Sequence, residues 1–305
     1  MPLKDTEALR GFLTQALPGL AIDGVPAPSG QRVVYFCHFS QGPETDPEWV
    51  GWGPVVLKVS EGISAQAIAY IQREIRILGE LKAPGYPALL YNEVFSVDPD
   101  TEVPLPYRRF ITLEERIDAQ PLSNLRAQFA NEADVLRLLT DLVRVLQPLW
   151  GWKPPLVHRD LKPENILITP QGEVVVIDLG IVREQGAAGE TQTFADFGPC
   201  TPHYASPEQA TNDKRNITFK SDLFSLGVLC YELLAGSNPF AEGCKLIDEV
   251  LARVVKHAPL SLEELGLCSS EFSRVIERMM EKEPYKRYRR IEDLIADLEG
   301  LAGGV

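Results

Sequence analysis

The sequence predicts an α+β fold with a small β-rich lobe, a larger helical lobe after it, and a cleft between the two. The first observation is a segregation of patterns, since β-branched runs occur before Ala119 and helical periodicity dominates after it. The second is the length of 305 residues, which allows one large domain or two modest ones that share a cleft. The third is the composition, because 45% hydrophobic and 24% charged residues are typical of a globular chain.

The β-rich first part contains two predicted helices and several predicted strands. Apolar residues at helical spacing predict helices at 4–17 and 65–81, and the first of them ends at a Pro-Gly pair. The Gly-, Pro- and acid-rich residues 41–53 are expected to form an exposed connection. Runs of β-branched and aromatic residues predict strands at 32–39, 54–59, 88–97 and 107–113.

The second part of the chain is mainly helical, with a short hairpin after the first long helix. The sequence has no internal repeat and no low-complexity tract. Periodic apolar residues predict helices at 122–149, 221–236, 244–256 and 270–282.

Charge and composition argue against several classes of function. The chain has 30 Lys and Arg residues against 43 Asp and Glu residues, so its net charge is −13 and it lacks the basic excess of a nucleic-acid-binding protein. It has no run of about 18 apolar residues and begins without the apolar core of a signal peptide, so a soluble, cytoplasmic protein is expected. The five cysteines include no Cys-x-x-Cys pair, which argues against a disulfide framework or a structural zinc site.

The most informative stretch is residues 157–178, with the sequence VHRDLKPENILITPQGEVVVID. Two apolar, β-branched runs flank a Pro-Gln-Gly turn and predict a hairpin. With the turn centred just before Gly172, Asn165 and Asp178 lie opposite each other at the open end, with Cβ atoms about 4.5–5.5 Å apart. Their amide and carboxylate oxygens would suit Mg²⁺, which takes few protein ligands. Asp160, on the connecting loop, is placed to face the same opening.

The string HRDLKPEN followed by Asp-x-Gly resembles the catalytic core of the eukaryotic-type (Hanks-type) protein kinases, and the compact chain resembles their bacterial members. The resemblance implies that Asp160 orients the attacking hydroxyl and accepts its proton, and that Lys162 steadies the transferred phosphoryl group. It also implies that Asn165 and Asp178 hold Mg²⁺ or Mn²⁺ against the phosphates of ATP. Lys162 and Thr201 match the serine/threonine kinases better than the tyrosine kinases. A surface hairpin behind a charged loop is the alternative interpretation.

The resemblance extends to the small lobe. Lys58 ends the apolar run of a predicted strand, where it would contact the ATP phosphates, and Glu74 on the inner face of the next helix would be its ion-pair partner. The alternative is that Lys58 caps an edge strand and Glu74 is solvated. Of the family's glycine-rich loop only Gly24 and Gly30 remain, and two prolines reduce the number of backbone N–H donors for phosphate. Glu114 completes the residues that the resemblance assigns to ATP binding.

Residues 200–208 resemble the end of a kinase activation segment, a segment that here includes Thr201 and Glu208. The resemblance implies that Glu208 pairs with Arg287 and clamps the segment to the helical lobe. It also implies that Asp222, at the start of a helix, braces the catalytic loop. For each residue alone, a helix N-cap acid or a surface arginine is the alternative.

Regulation by phosphorylation is implied as well. In the family, an arginine at the position of Arg159 pairs with a phosphate on the activation segment, and His158 beside it has a structural role. The candidates for autophosphorylation on this segment are Thr191 and Thr193. The alternative is a mobile loop that merely contains threonines.

The resulting hypothesis is a bilobal serine/threonine protein kinase that uses ATP and Mg²⁺. Residues 1–17 would be a helical extension, 18–117 the small lobe and 118–305 the large lobe, with the kinase domain covering about 18–298. The expected partner is a protein with a Ser or Thr acceptor, not a nucleic acid, and the sequence leaves the oligomeric state open. The alternatives are a pseudokinase or nucleotide-gated binding module, and a phosphotransferase acting on a small molecule or nucleic acid.

Overall fold

The chain forms two compact units in this computed structural model. The N-terminal unit consists of Met1–Lys82 and Pro87–Asp118, and the C-terminal unit consists of Ala83–Tyr86 and Ala119–Val305. One unit contains an antiparallel sheet and the other is mainly helical, so the predicted α+β class is confirmed. Within the described part of the chain, no helix has the length and apolar character needed to cross a bilayer. The residues described are 3–24, 27–29, 32–62, 64–179, 183–184 and 201–303.

The N-terminal unit is organised around its antiparallel sheet. The strands are β1 (Leu20–Ile22), β2 (Ala27–Ser29), β3 (Arg32–Phe39), β4 (Val55–Gly62), β5 (Leu89–Val97) and β6 (Pro104–Glu115). Their spatial order is β1-β3-β4-β6-β5, and β2 also pairs with β3. The four strands predicted in this part of the chain are confirmed, with small shifts at their ends. The register places Lys58 of β4 between Val34 of β3 and Thr112 of β6.

Helix α1 (Glu7–Ala16) covers one face of this sheet. The hydroxyl of Thr6 caps it by accepting a hydrogen bond from the backbone N of Leu9 at 3.1 Å. Because side chains alternate along a strand, Leu57 faces α1 while its neighbour Lys58 faces the opposite side. The predicted first helix is therefore confirmed. The buried cluster that it forms with the sheet includes Leu9, Phe12, Leu13, Leu17, Val33, Tyr35, Cys37, Val55, Leu57, Val59, Ile111 and Leu113.

Helix α3 (Ala65–Glu80) packs on the opposite face of the sheet, as predicted from its apolar period. It begins at Ser64, whose hydroxyl accepts a hydrogen bond from the backbone N of Ala67 at 3.2 Å. Gly62, the last residue of β4, lets the helix approach closely, since a Cβ at this position would lie 2.8 Å from Cγ1 of Ile68. The close approach brings the inner face of α3 onto the even-numbered side chains of β4.

Residues 41–53 form the mainly exposed connection that their composition predicts. They contain a short helix, α2 (Pro47–Gly51). The ring of Trp49 lies 5.1 Å from that of Phe39 and 5.4 Å from that of Tyr91. What the composition did not predict is this helix and the contact of Trp49 with the sheet, which partly buries aromatic area and is favourable.

The C-terminal unit is built around one central helix. Its helices are α4 (Leu122–Leu125), α5 (Glu132–Trp150), α6 (Pro207–Ala210), α7 (Phe219–Ala235), α8 (Ile247–Lys256), α9 (Ser270–Met279) and α10 (Ile291–Ala302). Every residue of α7 from Ser221 to Leu234 is buried. The helix predicted at 122–149 is in fact two helices separated by a 3-10 turn, because the side chain of Asn131 caps a new start by accepting from the backbone N of Asp134 at 3.0 Å.

Short strands and 3-10 turns complete this unit and flank the loops that contain Asp160 and Thr201. The strands are β7 (Gln120–Pro121), β8 (Leu156–Val157), β9 (Ile166–Ile168), β10 (Val174–Val176) and β11 (Arg183–Glu184). The 3-10 turns are Arg126–Phe129, Pro163–Asn165 and Pro202–Tyr204. β7 pairs with β9, and β8 pairs with β11.

The hairpin of β9 and β10 is present, but its register differs by one residue from the predicted one. The backbone O of Asn165 accepts from the backbone N of Ile177 at 3.0 Å, so these two residues lie opposite each other. The cause is the turn, where Gly172 has a φ of 83°. A glycine in this left-handed conformation closes a loop of three residues rather than two.

Asp178 is therefore not directly opposite Asn165. In a regular strand, a shift of one residue would turn its side chain to the other face. β10 ends at Val176, and Asp178 has a φ of 64°, in the left-handed region that a residue with a side chain seldom adopts. The direction of the Asp178 carboxylate is thus set by this backbone turn and not by strand pairing.

Candidate active site

The predicted catalytic loop is anchored on Asp222, which lies in the first turn of α7 and is fully buried. Its carboxylate accepts hydrogen bonds from the backbone N of His158 at 2.9 Å and of Arg159 at 2.8 Å. It also accepts one from Nε1 of Trp150 at 2.8 Å. Burial raises the pKa of Asp222, while these hydrogen bonds favour its charged form and oppose the rise. Sequence reasoning missed Trp150, although a buried indole N–H must find an acceptor.

The peptide of Arg159 is held from both sides. Its backbone O accepts a hydrogen bond from Nε2 of Gln209 in α6 at 2.8 Å, while Asp222 holds its N–H. The residue has a φ of 73°, a left-handed conformation that persists only where surrounding contacts impose it. The buried His158 contributes a further contact, since its Nδ1 accepts from the backbone N of Asp160 at 3.3 Å. Together these contacts fix the direction in which the loop presents Asp160.

The carboxylate of Asp160 is the centre of a hydrogen-bond network. Its Oδ1 accepts from the hydroxyl of Thr201 at 2.6 Å and from the backbone N of Thr201 at 3.0 Å. Its Oδ2 accepts from Nζ of Lys162 at 2.8 Å and from Nδ2 of Asn165 at 3.2 Å. Lys162 also donates to the Thr201 hydroxyl at 2.9 Å. The structure thus brings together four residues that the sequence selected.

The chemical capacity of this network follows from its donors and acceptors. An oriented carboxylate can accept a proton from a hydroxyl group, and an ammonium group beside it can stabilise negative charge on a transferred group. Lys162 is held within 3 Å of both Asp160 and Thr201 and is partly exposed, so its charge is available to a ligand. The arrangement suits transfer of an anionic group to a hydroxyl.

The predicted partners Glu208 and Arg287 also lie together in the C-terminal unit. Nη1 of Arg287 donates to Oε1 of Glu208 at 2.7 Å, and Nη2 donates to Oε2 at 3.0 Å. The hydroxyl of Ser221 donates to the same carboxylate at 2.6 Å. The side chain of Arg287 is 0% exposed and that of Glu208 is 3% exposed. This is a buried bidentate pair, in which neither charge can be removed without leaving the other unpaired.

The N-terminal unit corrects the predicted ion pair between Lys58 and Glu74. Nζ of Lys58 instead contacts the carboxylate of Glu114 at 2.8 Å. Glu74 is held by Arg32, whose Nη1 donates to Oε1 at 2.6 Å and whose Nη2 makes the second bond of a bidentate pair. Glu74 is buried rather than solvated, so the alternative reading of Glu74 as a solvated group is also wrong.

Strand register explains this exchange of partners. Lys58 pairs with Thr112 and Val56 pairs with Glu114, so the Lys58 and Glu114 side chains are diagonal neighbours on one face of the sheet. Arg32 lies two positions before the β3 residue that pairs with Lys58, so it occupies the other diagonal of the same face. Two cations and two carboxylates meet beneath α3, and each cation takes one carboxylate. Sequence reasoning missed Arg32, although its parity along β3 places it on this face.

Lys58 and Glu74 nevertheless share a small cavity between the sheet and α3. Its polar and apolar lining residues are Arg32, Lys58, Ser60, Ile71, Glu74, Ile75, Leu78, Phe110 and Thr112. The two groups of the expected pair thus face one space without being in contact.

The remaining candidates of the glycine-rich loop and activation segment receive less support. Gly24 is exposed, and a Cβ added there would meet no atom within 4 Å, so sterics do not demand glycine at this position. Gly30, Thr191 and Thr193 lie outside the described residues.

The fit of a divalent cation can be tested on Asn165. Both hydrogen bonds of its amide use Nδ2, which donates to the backbone O of Asp160 at 2.9 Å and to its Oδ2 at 3.2 Å. Its Oδ1 accepts no hydrogen bond from the described residues and is left as a ligand atom. No group of three or more His, Cys, Asp or Glu side chains suited to a metal ion occurs among those residues. The Asn165 Oδ1 itself would suit Mg²⁺, which binds through one or two protein oxygens and completes its shell with phosphate and water.

Comparison with known sequences identifies the family. The sequence profile described as protein kinase domain matches residues 55–297. The chain belongs to the protein kinase family. Among its relatives is the probable serine/threonine-protein kinase PknB of Lactococcus lactis, 29% identical over 236 residues, which are 76% of this chain and 34% of that protein. Another is the serine/threonine-protein kinase PknL of Mycobacterium tuberculosis, 36% identical over 166 residues, or 53% of this chain and 40% of the relative.

These matches confirm the resemblance to the bacterial serine/threonine kinases, a family of enzymes that use ATP and a divalent cation. A third relative, the probable serine/threonine-protein kinase SCO3848 of Streptomyces coelicolor, is 33% identical over 175 residues, or 55% of this chain and 25% of its own length. The chain therefore spans a quarter to two fifths of the length of these relatives.

Proposed function

We propose that this protein is an active serine/threonine protein kinase, which transfers the γ-phosphoryl group of ATP to a Ser or Thr hydroxyl of a protein substrate. The observation that carries the proposal is the network in which the Asp160 carboxylate is oriented by Thr201, Lys162 and Asn165. A purely structural role for this loop would not require a carboxylate and an ammonium group that are both partly accessible to solvent. Family membership and the anchoring of the loop on Asp222 support the same function.

In the proposed reaction, the substrate hydroxyl oxygen forms a bond to the γ-phosphorus while the bond from that phosphorus to the bridging oxygen of ATP breaks, and ADP leaves. Asp160 accepts the hydroxyl proton. Lys162 donates hydrogen bonds to oxygens of the transferred group and stabilises their charge. Because the network holds both groups in place before substrate arrives, little reorganisation is needed when the bond forms.

Asn165 and Asp178 would hold Mg²⁺, which would neutralise charge on the ATP phosphates. The unengaged Oδ1 of Asn165 supports this assignment, as does the left-handed backbone that directs Asp178 away from the strand. Lys58 would contact the phosphates of the nucleotide, and Gly24 and Gly30 would contribute backbone to the same region. For Lys58 this requires that its Nζ also serve a ligand beside Glu114.

We also propose that the kinase domain extends from about residue 18 to 298, with lobes at 18–117 and 118–305 and a helical extension at 1–17. The family profile begins at 55, in the middle of the sheet. The pairing of β1 with β3, and of β3 with β4, supports the inclusion of the preceding strands.

A pseudokinase or nucleotide-gated binding module is the second candidate. One observation favours it, namely the binding of Glu74 by Arg32 instead of Lys58. In that function the protein would bind nucleotide without transferring phosphate. The complete Asp160 network is the reason to prefer the active enzyme.

Intact-mass spectrometry after incubation with ATP and Mg²⁺ tests the proposal, with casein or histone as a generic acceptor and Asp160→Asn as the matched control. We expect added phosphate on the wild type or on the acceptor, and none with the variant. Replacing both Thr191 and Thr193 with Ala should remove most phosphate from the activation segment. A wild type that binds nucleotide, as seen by a thermal shift, but transfers no phosphate would favour the pseudokinase.

A further inference from the structure

An amide side chain in α6 binds the backbone of the catalytic loop. Gln209, the third residue of α6, is 1% exposed. Its Nε2 donates to the backbone O of Arg159 at 2.8 Å. Its Oε1 accepts from the backbone N and from the hydroxyl of Ser206, both at 3.1 Å. The amide therefore joins the helix that follows the activation segment to the loop that carries Asp160, within the C-terminal unit.

The chemistry of the two partners fixes the orientation of this amide. The backbone N–H of Ser206 can only donate a hydrogen bond, and the backbone O of Arg159 can only accept one. Turning the amide over would place Nε2 against a donor and Oε1 against an acceptor, so both bonds would be lost. Glutamate has nearly the same shape as glutamine, but its carboxylate has no proton to donate to Arg159. The site therefore requires the amide and not only a side chain of this length.

The bond from Gln209 orients the peptide group that leads directly into Asp160. A peptide group is planar, so the backbone O of Arg159 and the backbone N of Asp160 belong to one rigid unit. Asp222 binds the backbone N of His158 and of Arg159, which belong to the two preceding peptide groups. On its N–H side, the peptide group before Asp160 makes only the longer bond to Nδ1 of His158, at 3.3 Å. Gln209 thus supplies the shorter hydrogen bond to this group, at a place that Asp222 does not hold.

The backbone at Arg159 makes this hydrogen bond consequential. Arg159 has a φ of 73°, and a residue with a side chain keeps such a conformation only while its surroundings impose it. The N of the following peptide group is bonded to Cα of Asp160, so a tilt of this group also moves the Cα–Cβ bond and the carboxylate of Asp160. A misplacement of a reacting group by about 1 Å can lower a rate about 100-fold. A small tilt of one peptide group is therefore sufficient to impair transfer.

We propose that Gln209 is a positioning residue for phosphoryl transfer, which holds the Arg159 carbonyl and thereby the direction of the Asp160 carboxylate. It acts through the backbone of the catalytic loop and contacts neither ATP nor the substrate. Because the amide is itself held by Ser206, the aim of Asp160 depends on the position of α6 relative to this loop. This inference rests on the proposed kinase function.

Steady-state kinetics of Gln209→Leu, with casein as the acceptor, provide the first test. We expect kcat to fall at least about tenfold while KM for ATP stays within about twofold of the wild type, since only the aim of Asp160 changes. Ser273→Ala is the control for the loss of a buried polar side chain. The hydroxyl of Ser273 is buried in α9 of the same unit, donates to Glu277 at 2.7 Å and accepts from the backbone N of Glu263 at 3.2 Å. This control should lower the melting temperature and keep kcat within about twofold.

The pH profile of Gln209→Glu gives a readout that a merely structural role would not move. When protonated, the introduced carboxyl group can donate to the Arg159 carbonyl, and when ionised it cannot. Burial at this position raises the pKa of that group above the usual value of about 4.3. We therefore expect kcat of this variant, divided by that of the wild type, to fall at least about fivefold from about pH 5.5 to about pH 8. The same ratio for Gln209→Leu should stay constant, because division by the wild type removes the titration of all shared groups.

The possible outcomes separate this inference from the proposed function. Circular dichroism establishes that each variant is folded at the assay temperature, and if Gln209→Leu does not fold, the profile of Gln209→Glu decides alone. A folded Gln209→Leu with kcat within about twofold of the wild type, or a constant ratio for Gln209→Glu, would overturn this inference alone. Absence of phosphoryl transfer by the wild type itself would overturn the proposed function and this inference with it.

Discussion

The two units hold their own candidate residues in different ways. In the C-terminal unit, Asp160 lies on a loop whose backbone N–H groups donate to the carboxylate of Asp222. That carboxylate is fully buried. In the N-terminal unit, Lys58 and Glu74 are long side chains on a strand and a helix, and each has bound another partner. The first arrangement matches what the resemblance implies, and the second does not.

The difference shows what kind of contact fixes a site. A backbone group that donates to a buried carboxylate has one direction available, so the loop around Asp160 has one conformation. A long cationic side chain on a sheet face can instead contact any carboxylate within its reach. Lys58 contacts Glu114 but lines the same cavity as Arg32 and Glu74, so Glu74 has two cations beside that cavity. The candidate residues of the N-terminal unit are therefore the ones that a change of partner can rearrange.

The buried pair of Glu208 and Arg287 gives the largest expected effect and is the strongest test of rigidity in the C-terminal unit. Arg287→Ala would leave the Glu208 carboxylate buried without a cation, with only the Ser221 hydroxyl as a side-chain donor among the described residues. Loss of one partner of such a pair costs about 3–5 kcal/mol. We expect a markedly lower melting temperature by circular dichroism or calorimetry.

Arg290→Ala is the matched control for this variant. Arg290 pairs with Asp293 on the surface, where its side chain is 66% exposed. Water screens such pairs, so the melting temperature should stay near that of the wild type. Equal melting temperatures for Arg287→Ala and Arg290→Ala would show that the C-terminal unit does not depend on its buried pair.

Arg32→Ala tests whether the candidate residues of the N-terminal unit can exchange partners. The variant removes the cation that holds Glu74, and Lys58 is the other cation lining the same cavity. If the pair of Lys58 and Glu74 is needed for transfer, freeing Glu74 should raise the initial rate of phosphoryl transfer, by about three- to tenfold. The measurement is incorporation of labelled phosphate into a generic acceptor at several ATP concentrations.

Two controls make the result of Arg32→Ala interpretable. Arg108→Ala removes an exposed arginine of β6 and should leave the rate unchanged. Addition of Lys58→Ala to Arg32→Ala should abolish transfer, because the gain depends on Lys58. A lower or unchanged rate for Arg32→Ala alone would mean that Arg32 does not compete for Glu74.

Sequence-based predictions succeeded mostly where the contacts are local in the chain and failed mostly where the contacts join distant residues. The strands, the hairpin and the grouping of Asp160, Lys162 and Asn165 depend on residues close together in the chain, and they were predictable. The register of the hairpin was predicted one residue wrong because the conformation of Gly172 decides whether the loop has two residues or three. The predicted partner of Glu74 was wrong because the pairing of β3 with β4 places Arg32 beside it, and this register cannot be read from the sequence.

Lys282 gives the smallest expected effect and extends the comparison to a cation without a carboxylate partner. Its Nζ donates to the backbone O of Val254 at 2.9 Å and lies 4.1 Å from the ring centre of Phe240, and no ion pair is formed with a described carboxylate. Burial, with a smaller contribution from Arg287, lowers the pKa of Lys282 from 10.5 to about 8. Between these values the unfolded chain binds more protons than the folded one. The free energy of unfolding contributed by this group therefore rises with pH across that window.

The test for Lys282 compares urea unfolding of the wild type and Lys282→Met from about pH 7 to 10.5. The free energy of unfolding of the wild type should increase relative to that of the variant as the pH rises through about 8, because the folded state then no longer contains a buried charge. The exposed Lys245 supplies the control, since Lys245→Met should follow the wild type across the range. A constant difference between wild type and Lys282→Met would show that Lys282 stays charged in the folded protein. The aromatic ring and backbone carbonyl would then satisfy this cation as fully as a carboxylate satisfies the others.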